Sequence, residues 1–261
     1  MTERDKIIRY YRASGDADLA AKLIDLADGA ARSRKYRVSD FLDPYGMTVA
    51  ETVMAHYTDL KLETDGGYEG AERAKVAFVH DDFPGKIDFA ITALQAKWDG
   101  KYYHLTHRDV LGSILGLGLK RDVFGDLLVS EGTAQIIIDT TMAPFVQQNL
   151  AKVGAAPVDT EAMALSDIKG REEKVKEIRT TVASLRLDTI AAAGFGLSRT
   201  KMAADIAADK LKVNWQSAKG SAQTITAGDV ISMRGRGRLE VFEIIGQTRK
   251  GRMSVCLKRF Y

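Results

Sequence analysis

The 261 residues are 45% apolar and 28% charged, an ordinary globular balance that excludes a largely disordered chain and favours two or three domains. The single cysteine, Cys256, excludes an internal disulfide or a cysteine-rich metal site, and no apolar run reaches the ~18 residues of a membrane span. The net charge of +3 conceals an asymmetry: residues 1–100 carry 14 Lys and Arg against 18 Asp and Glu, residues 101–180 carry 10 against 11, and residues 181–261 carry 14 against 6, which makes the last third either a module for a polyanion or a solvated basic surface.

The first residues run straight into charged, helix-like sequence without the apolar segment of a secretory signal, so a cytoplasmic, reducing location is expected. Residues 5–11 and 17–31 place Ile7, Ile8, Leu19, Leu23, Ile24 and Leu26 at near-helical intervals. Residues 39–44 are a break ending in Pro44, residues 47–60 predict another helix, and Gly66-Gly67 a loop. Tyr10, Tyr11, Tyr36, Tyr45, Tyr57 and Tyr68 are expected to pack between helices.

From residue 73 the period changes. Strands are predicted over 74–79 and 87–96, a helix over 106–117 with Thr106 as N-cap and Asp109 three residues on, and strands over 126–129 and 133–138 turning at Glu131-Gly132. A second helix over 142–153 stopping at Gly154, and a strand over 160–165, complete the order β-β-α-β-β-α-β. That order predicts an antiparallel sheet with helices on one face, an RRM-like arrangement without the aromatic signature of that module. Gly112, Gly116 and Gly118 match neither a P-loop nor a dinucleotide fingerprint and are read as allowing close helix packing. The charged residues 168–181 are a boundary or a surface strand.

In the basic third, a short helix ends at glycine before Ser198, which caps a second helix with Arg199 and Lys201 in its first turn. Cations there oppose the helix dipole. Either a phosphate at the helix start favours them, or they are solvated. Lys212, Val213, Asn214 and Trp215 predict a strand, Gly228-Asp229 a tight turn, and Val230–Met233 another strand. Arg234-Gly235-Arg236-Gly237-Arg238 is either a phosphate-binding segment or a flexible basic turn.

Arg186-Leu187-Asp188, Ser198-Arg199, Val213-Asn214 and Gly228-Asp229, at these gaps, together resemble the S4 RNA-binding domain. Two positions depart from its pattern: Asp209 stands where glycine is usual before the strand, and Trp215 where glycine often follows Val-Asn. The second departure matches a subgroup, the YlmH-like family of bacterial proteins. The chain also resembles that family in His107-Arg108-Asp109, in Gly112, Gly116 and Gly118, in Lys120-Arg121, in Gly125-Asp126 and in the arginine-glycine segment, over residues 70–261. The resemblance implies a non-catalytic RNA-binding protein acting in translation on the large ribosomal subunit, near peptidyl-tRNA, in the rescue of stalled nascent chains. The family's genes often lie near cell-division genes.

By the same resemblance the RNA face falls on Arg186, Ser198, Arg199, Thr200 and Lys201, with Lys212, Asn214 and Lys219 beside it and Arg234, Arg236 and Arg238 following. Arg186 has a second reading, a structural pairing with Asp188 or a carbonyl. His107, Arg108, Lys120 and Arg121 flank the central helix, as a second RNA contact or as solvated helix ends. Recognition of shape through phosphate and 2′-OH is expected, because the A-form major groove admits no side chains. The partners expected are structured RNA (rRNA, tRNA or both) and the large ribosomal subunit, with the protein a monomer.

The rival reading is an S4-containing RNA-modifying enzyme, a pseudouridine synthase or a methyltransferase. Few residues remain after Arg238 for a catalytic domain, and no glycine-rich methyl-donor loop is present. The four histidines have no metal spacing. His80-Asp81-Asp82 reads as an acid/base cluster or a strand-end turn. Neither cofactor nor metal is expected. A third reading is a division-associated scaffold whose acidic N-terminal helices bind protein. The fold expected is α+β: an N-terminal helical region over 1–72, a central RRM-like or ferredoxin-like domain over 73–168, a linker over 169–181, and an S4 (alpha-L) RNA-binding domain with a C-terminal strand extension over 182–261.

Overall fold

In the computed structural model, which describes residues 2–12, 14–170 and 174–260, the chain divides into two compact units, residues 1–171 and 172–261. The first unit opens with α1 (Glu3–Arg12), α2 (Ala17–Ser33), β1 (Tyr36–Val38), α3 (Pro44–Met54), β2 (Leu60–Asp65) and β3 (Lys75–His80). The N-terminal region is therefore not purely helical. Its strands form an antiparallel sheet in the order β1-β3-β2. Pro44, expected to close a break, instead opens α3 at a position where its missing N–H is harmless, with the Asp43 carboxylate accepting from the Gly46 N–H at 2.9 Å.

Ile7, Leu23, Ile24, Val49, Val53, Val76 and Phe78 make one core. β3 is buried along its whole length, which is why it reads as a continuous apolar run. It pairs with β1 and β2 and takes no part in the central sheet, contrary to the sequence reading. Tyr45 and Tyr57 reach Asp16 and Asp28 through their hydroxyls at 2.9 and 2.7 Å. Tyr10, expected between helices, is exposed. His80 sits in a strand-end turn, its Nδ1 accepting from the Asp82 N–H at 3.1 Å.

The central fold follows as β4 (Ile91–Lys97), α4 (His107–Gly116), β5 (Phe124–Ser130), β6 (Thr133–Asp139), α5 (Ala143–Asn149), the small hairpin β7 (Lys152–Val153) and β8 (Ala156–Pro157), and β9 (Asp159–Met163). The antiparallel sheet has the order β5-β6-β4-β9, the split βαββαβ of ferredoxin-like folds. β4 begins at Ile91 because Ala90 adopts φ +50 and breaks the extended run. α5 ends at Asn149, and Gly154 (φ +58) turns the β7–β8 hairpin instead of stopping a longer helix.

Leu94, Ala96, Ile136 and Ile138 face the helices, packing on Val110, Ile114 and Val146. The other face is also covered. Ala93 and Ile137 are fully buried there, and Gln135 is 8% exposed. A Cβ on Gly67 would stand 3.1 to 3.3 Å from Ile91, Ile137 and Leu165, and one on Gly125 would meet Ile137 and Phe41 at 2.9 Å. The N-terminal region and the segment after β9 therefore lie on this face. Tyr68 donates to Asp126 at 2.8 Å, and Gln135 accepts from the Lys169 N–H at 2.8 Å. The buried Lys75 is held by Asp139 at 2.5 Å and by the Phe89 carbonyl at 3.0 Å.

The second unit runs β10 (Val175–Val182), α6 (Leu187–Phe195), α7 (Arg199–Ala207), β11 (Leu211–Val213), β12 (Gln216–Ser217), β13 (Val230–Met233), β14 (Gly237–Gln247) and β15 (Met253–Phe260). Residues 175–181 of the expected linker are strand, the surface strand that one reading anticipated, since residues 175–182 pair with β15. The antiparallel sheet β10-β15-β14-β13-β11-β12 puts Leu211, Val213, Ile231, Leu239, Val241, Val255 and Leu257 on one face, against Leu187, Ile190, Phe195, Met202 and Ile206 of the two helices.

Candidate nucleic-acid interface

The two helices of the second unit meet at their N-terminal ends through one buried carboxylate. Asp188, 4% exposed, accepts from Arg199 Nε at 2.9 Å, from Arg186 Nε and Nη2 at 3.2 and 3.4 Å, and from the Thr189 hydroxyl at 3.2 Å. Burial pushes its carboxyl toward higher pKa, but the hydrogen bonds from Arg186, Arg199 and Thr189 outweigh it and hold the group below the ordinary carboxylate range. Arg186 thus has the structural partner that one sequence reading anticipated. Both guanidiniums remain about half exposed, 42% and 54%, with further N–H groups directed to no partner among the described residues. Asp188 fixes where these cations sit without covering them.

Around this pair the chain adds more positive charge. Ser198 caps α7, its hydroxyl accepting from the Lys201 N–H at 3.2 Å. Thr200 and Lys201 are exposed in the first turn, and Lys201 forms no ion pair among the described residues. The loop carrying Lys219 closes over the start of α6: the Ser221 and Gln223 carbonyls accept from the Asp188 and Leu187 N–H groups at 3.2 and 2.8 Å, and Arg186 bridges to Thr224. Asp205, on α7, binds Lys210 at 2.7 Å. That bond, ahead of the charges of Lys201 and Arg236, holds its carboxyl low. Arg236 lies in the turn between β13 and β14. The exposed Arg234 sits in the same turn, its N–H donating to the Lys210 carbonyl at 3.0 Å.

Other expected site residues lie elsewhere. Lys212 alternates with the buried Leu211 and Val213, so it points to the sheet face away from the helices. Arg238, two strands over, stacks on Phe260 on that same outer face. Asn214 holds a loop: its amide donates to Asp229 at 2.8 Å and accepts from the Val230 N–H at 2.9 Å. With Trp215 it forms the two-residue turn of the β11–β12 hairpin, both at positive φ (+50 and +64), the geometry that makes glycine common there. Asp209 likewise has φ +51, which explains why glycine would be usual at that position.

In the first unit, α4 has the predicted capping box between Thr106 and Asp109, and His107 and Arg108 are exposed at its start. Lys120 is exposed, and Arg121 is half-buried. It donates to the Phe124 and Gly125 carbonyls at 2.8 and 3.0 Å, and burial, together with the nearby Arg73 charge, pushes its pKa down to about 10. Gly112 and Gly116 pack against nothing, contrary to the sequence reading, and Gly118 supplies φ +87 just beyond the helix.

Comparison with known proteins agrees with these modules. Three family models match in series: "YlmH, N-terminal" over residues 15–83, "Putative RNA-binding domain in YlmH" over 84–167 and "S4 domain" over 185–231. A Bacillus subtilis protein, "Ribosome-associated protein quality control protein P2", is 34% identical over 226 residues, covering 86% of this chain and 88% of its own. The chain belongs to the YlmH family. Its fold also matches a solved structure, "Cell division protein ylmH from Streptococcus pneumoniae", with a TM-score of 0.51 and 26% identity over 59% of this chain and 95% of the other. The S4 match places the helix pair and its Asp188 clasp inside this YlmH protein's RNA-binding module. The first two models meet at residues 83 and 84, after β3, consistent with its pairing in the N-terminal sheet.

Sequence reasoning passed over Asp205, Lys210 and the cations after residue 245. The density of Arg249, Lys250 and Arg252 around Gly251 was the available signal for the last group.

Proposed function

We propose that the protein is a non-catalytic binder of structured RNA that works in the cytoplasm on the large ribosomal subunit, through rRNA, tRNA or both, in translation or ribosome quality control. The observation carrying this reading is the Asp188-anchored pair Arg186 and Arg199 at the starts of α6 and α7, beside Lys201, which forms no ion pair among the described residues. A phosphate there meets a helix N-terminus, a guanidinium fork held in place, and an ammonium. Ser198, Thr200, Lys219, Arg234 and Arg236 extend the face, and His107, Arg108 and Lys120 form a second contact on the central fold. The name of the Bacillus subtilis relative supports the ribosomal setting.

The test is Lys201→Glu in the full chain, followed by co-sedimentation with large subunits across a salt series. Association should weaken about tenfold, and the salt slope should fall by about 1 to 2, as expected when one phosphate contact is reversed. Melting should be unchanged. Undiminished co-sedimentation would refute the face. The modifying-enzyme reading predicts tritium release from labelled RNA or binding of a methyl donor. The Streptococcus pneumoniae relative's name favours a second reading as a division-associated scaffold, which predicts protein capture that survives RNase.

A further inference from the structure

The outer face of β14 and β15 and the turn between them lie outside the matched S4 segment, and most of their cations have no assigned role. At that turn the Gly251 N–H donates to the Thr248 carbonyl at 2.9 Å, the Thr248 N–H donates to the Arg252 carbonyl at 2.7 Å, and Gly251 has φ +77. This is a type I turn closed by a glycine bulge, with Arg249 and Lys250 at its two corners. Nothing in that geometry demands cations, since the corners of a type I turn accept most residues. Both side chains are exposed and form no ion pair among the described residues. Arg252 is anchored: its Nε and Nη2 donate to the Thr181 hydroxyl and carbonyl at 3.1 and 2.7 Å. Its position is therefore set before any ligand arrives.

The face leading to this turn repeats one pattern. The Lys258 ammonium lies 3.4 Å from the Phe242 ring centroid, and the Arg238 guanidinium 4.8 Å from that of Phe260. Phe242 and Ile245 are half exposed. The carboxylates, Glu177, Glu240 and Glu243, lie along the strands, Glu177 being paired with Arg179 at 2.7 Å, and the turn itself has none. One exposed and one partly exposed aromatic ring beside cations, leading to a turn whose Arg249 and Lys250 form no ion pair among the described residues, match the make-up of sequence-tolerant RNA surfaces.

We infer that the β14–β15 turn and the adjoining outer sheet face form a second RNA-contacting surface, with Arg249, Lys250 and Arg252 on backbone phosphates. The inference rests on the reading of the protein as an RNA binder and adds a site to it. The experiment uses the full chain, with a short RNA hairpin and a single-stranded RNA of equal length as probes, measured by fluorescence anisotropy across a salt series. Arg249→Glu with Lys250→Glu should weaken binding about tenfold at physiological salt and lower the salt slope by about 2, two phosphate contacts having been lost. Arg249→Gln with Lys250→Gln should lie between that variant and the wild type, and the melting temperature should not move. Lys201→Glu is measured in parallel. Weakened binding in the turn variant with a silent Lys201→Glu would sink the helix face and keep this surface. The reverse result, or retained RNA binding with loss of binding to anionic vesicles or polyglutamate, would overturn it, as would a wild-type chain that binds neither probe.

Discussion

Replacing Asp188 by Asn should destabilise the C-terminal unit by about 2 kcal/mol at pH 7. The carboxylate accepts from two guanidiniums, most closely from Arg199 at 2.9 Å. Hydrogen bonds to a charged group contribute roughly 1.5–3 kcal/mol against roughly 0.5–1.5 for neutral ones. An amide also has only one accepting oxygen, so its NH2 must face one of the two guanidiniums, donor against donor. Breaking a fully buried pair costs about 3–5 kcal/mol. The half exposure of both arginines and the 3.2 to 3.4 Å bonds of Arg186 argue for the lower figure. Because Asp188 has its pKa lowered in the folded state, its contribution is fully present above the unfolded carboxylate value of about 3.9 and is lost as pH falls through the folded one. The gap between wild type and Asp188→Asn should therefore close in acid. Urea unfolding followed through Trp215 reads the C-terminal unit, in a Trp98→Phe background that silences the other tryptophan. A difference under about 0.5 kcal/mol at pH 7, the scatter of ordinary surface changes, would refute the reasoning. So would a gap that persists unchanged to low pH.

Gly194→Ala should cost about 1–3 kcal/mol, because its Cβ would stand 2.2 Å from Cδ2 of the fully buried Leu239. Leu239→Val in the same chain should recover part of that loss, measurable as a coupling energy in a double-mutant cycle. Arg121→Ala should destabilise the unit of residues 1–171 by about 2 kcal/mol, as the Phe124 and Gly125 carbonyls lose a charged donor. Arg108→Ala should leave thermal unfolding within about 0.5 kcal/mol and show itself only in RNA affinity.

Local features were legible in the sequence. The capping box of α4 and the Ser198 cap of α7 follow from residue type and spacing over three positions, and both helices formed where expected. The S4 helix pair was legible because four short pairs at fixed gaps are jointly specific. Pairing across long separations was not. Residues 74–79 read as a strand, which the structure places at 75–80, but nothing local says that the partners are Tyr36–Val38 and Leu60–Asp65. Arg108 and Arg121 are the same residue type at opposite ends of one helix region, yet one is a solvated cation and the other a half-buried donor to the carbonyls three and four residues on. The division of the basic residues between two faces was legible in part: Lys212 lies between Leu211 and Val213, so a strand burying those two must turn the lysine outward.

The covered sheet of the central fold narrows how that fold can touch RNA. A sheet of this topology that reads bases does so with aromatics on the face away from its helices. Here that face presents Ala93, Gln95, Ile137 and Gln135 on its two middle strands. Ala93 and Ile137 are sealed under the N-terminal region, and Gln135 is bonded to the Lys169 backbone. The missing aromatic signature is thus a consequence of internal packing. A base-stacking side chain at residue 137 would have to displace Phe41, whose ring edge already crowds the space above Gly125 beside Ile137. Any RNA contact by this fold must then come from its rim, where Arg108 and Lys120 are exposed and Thr106 and Asp109 hold the start of α4 rigid. Contacts of that kind position a phosphate backbone and read no sequence. The cations proposed for RNA at the starts of α6 and α7 are of the same kind, so on the proposed reading the chain recognises the shape and charge of folded RNA.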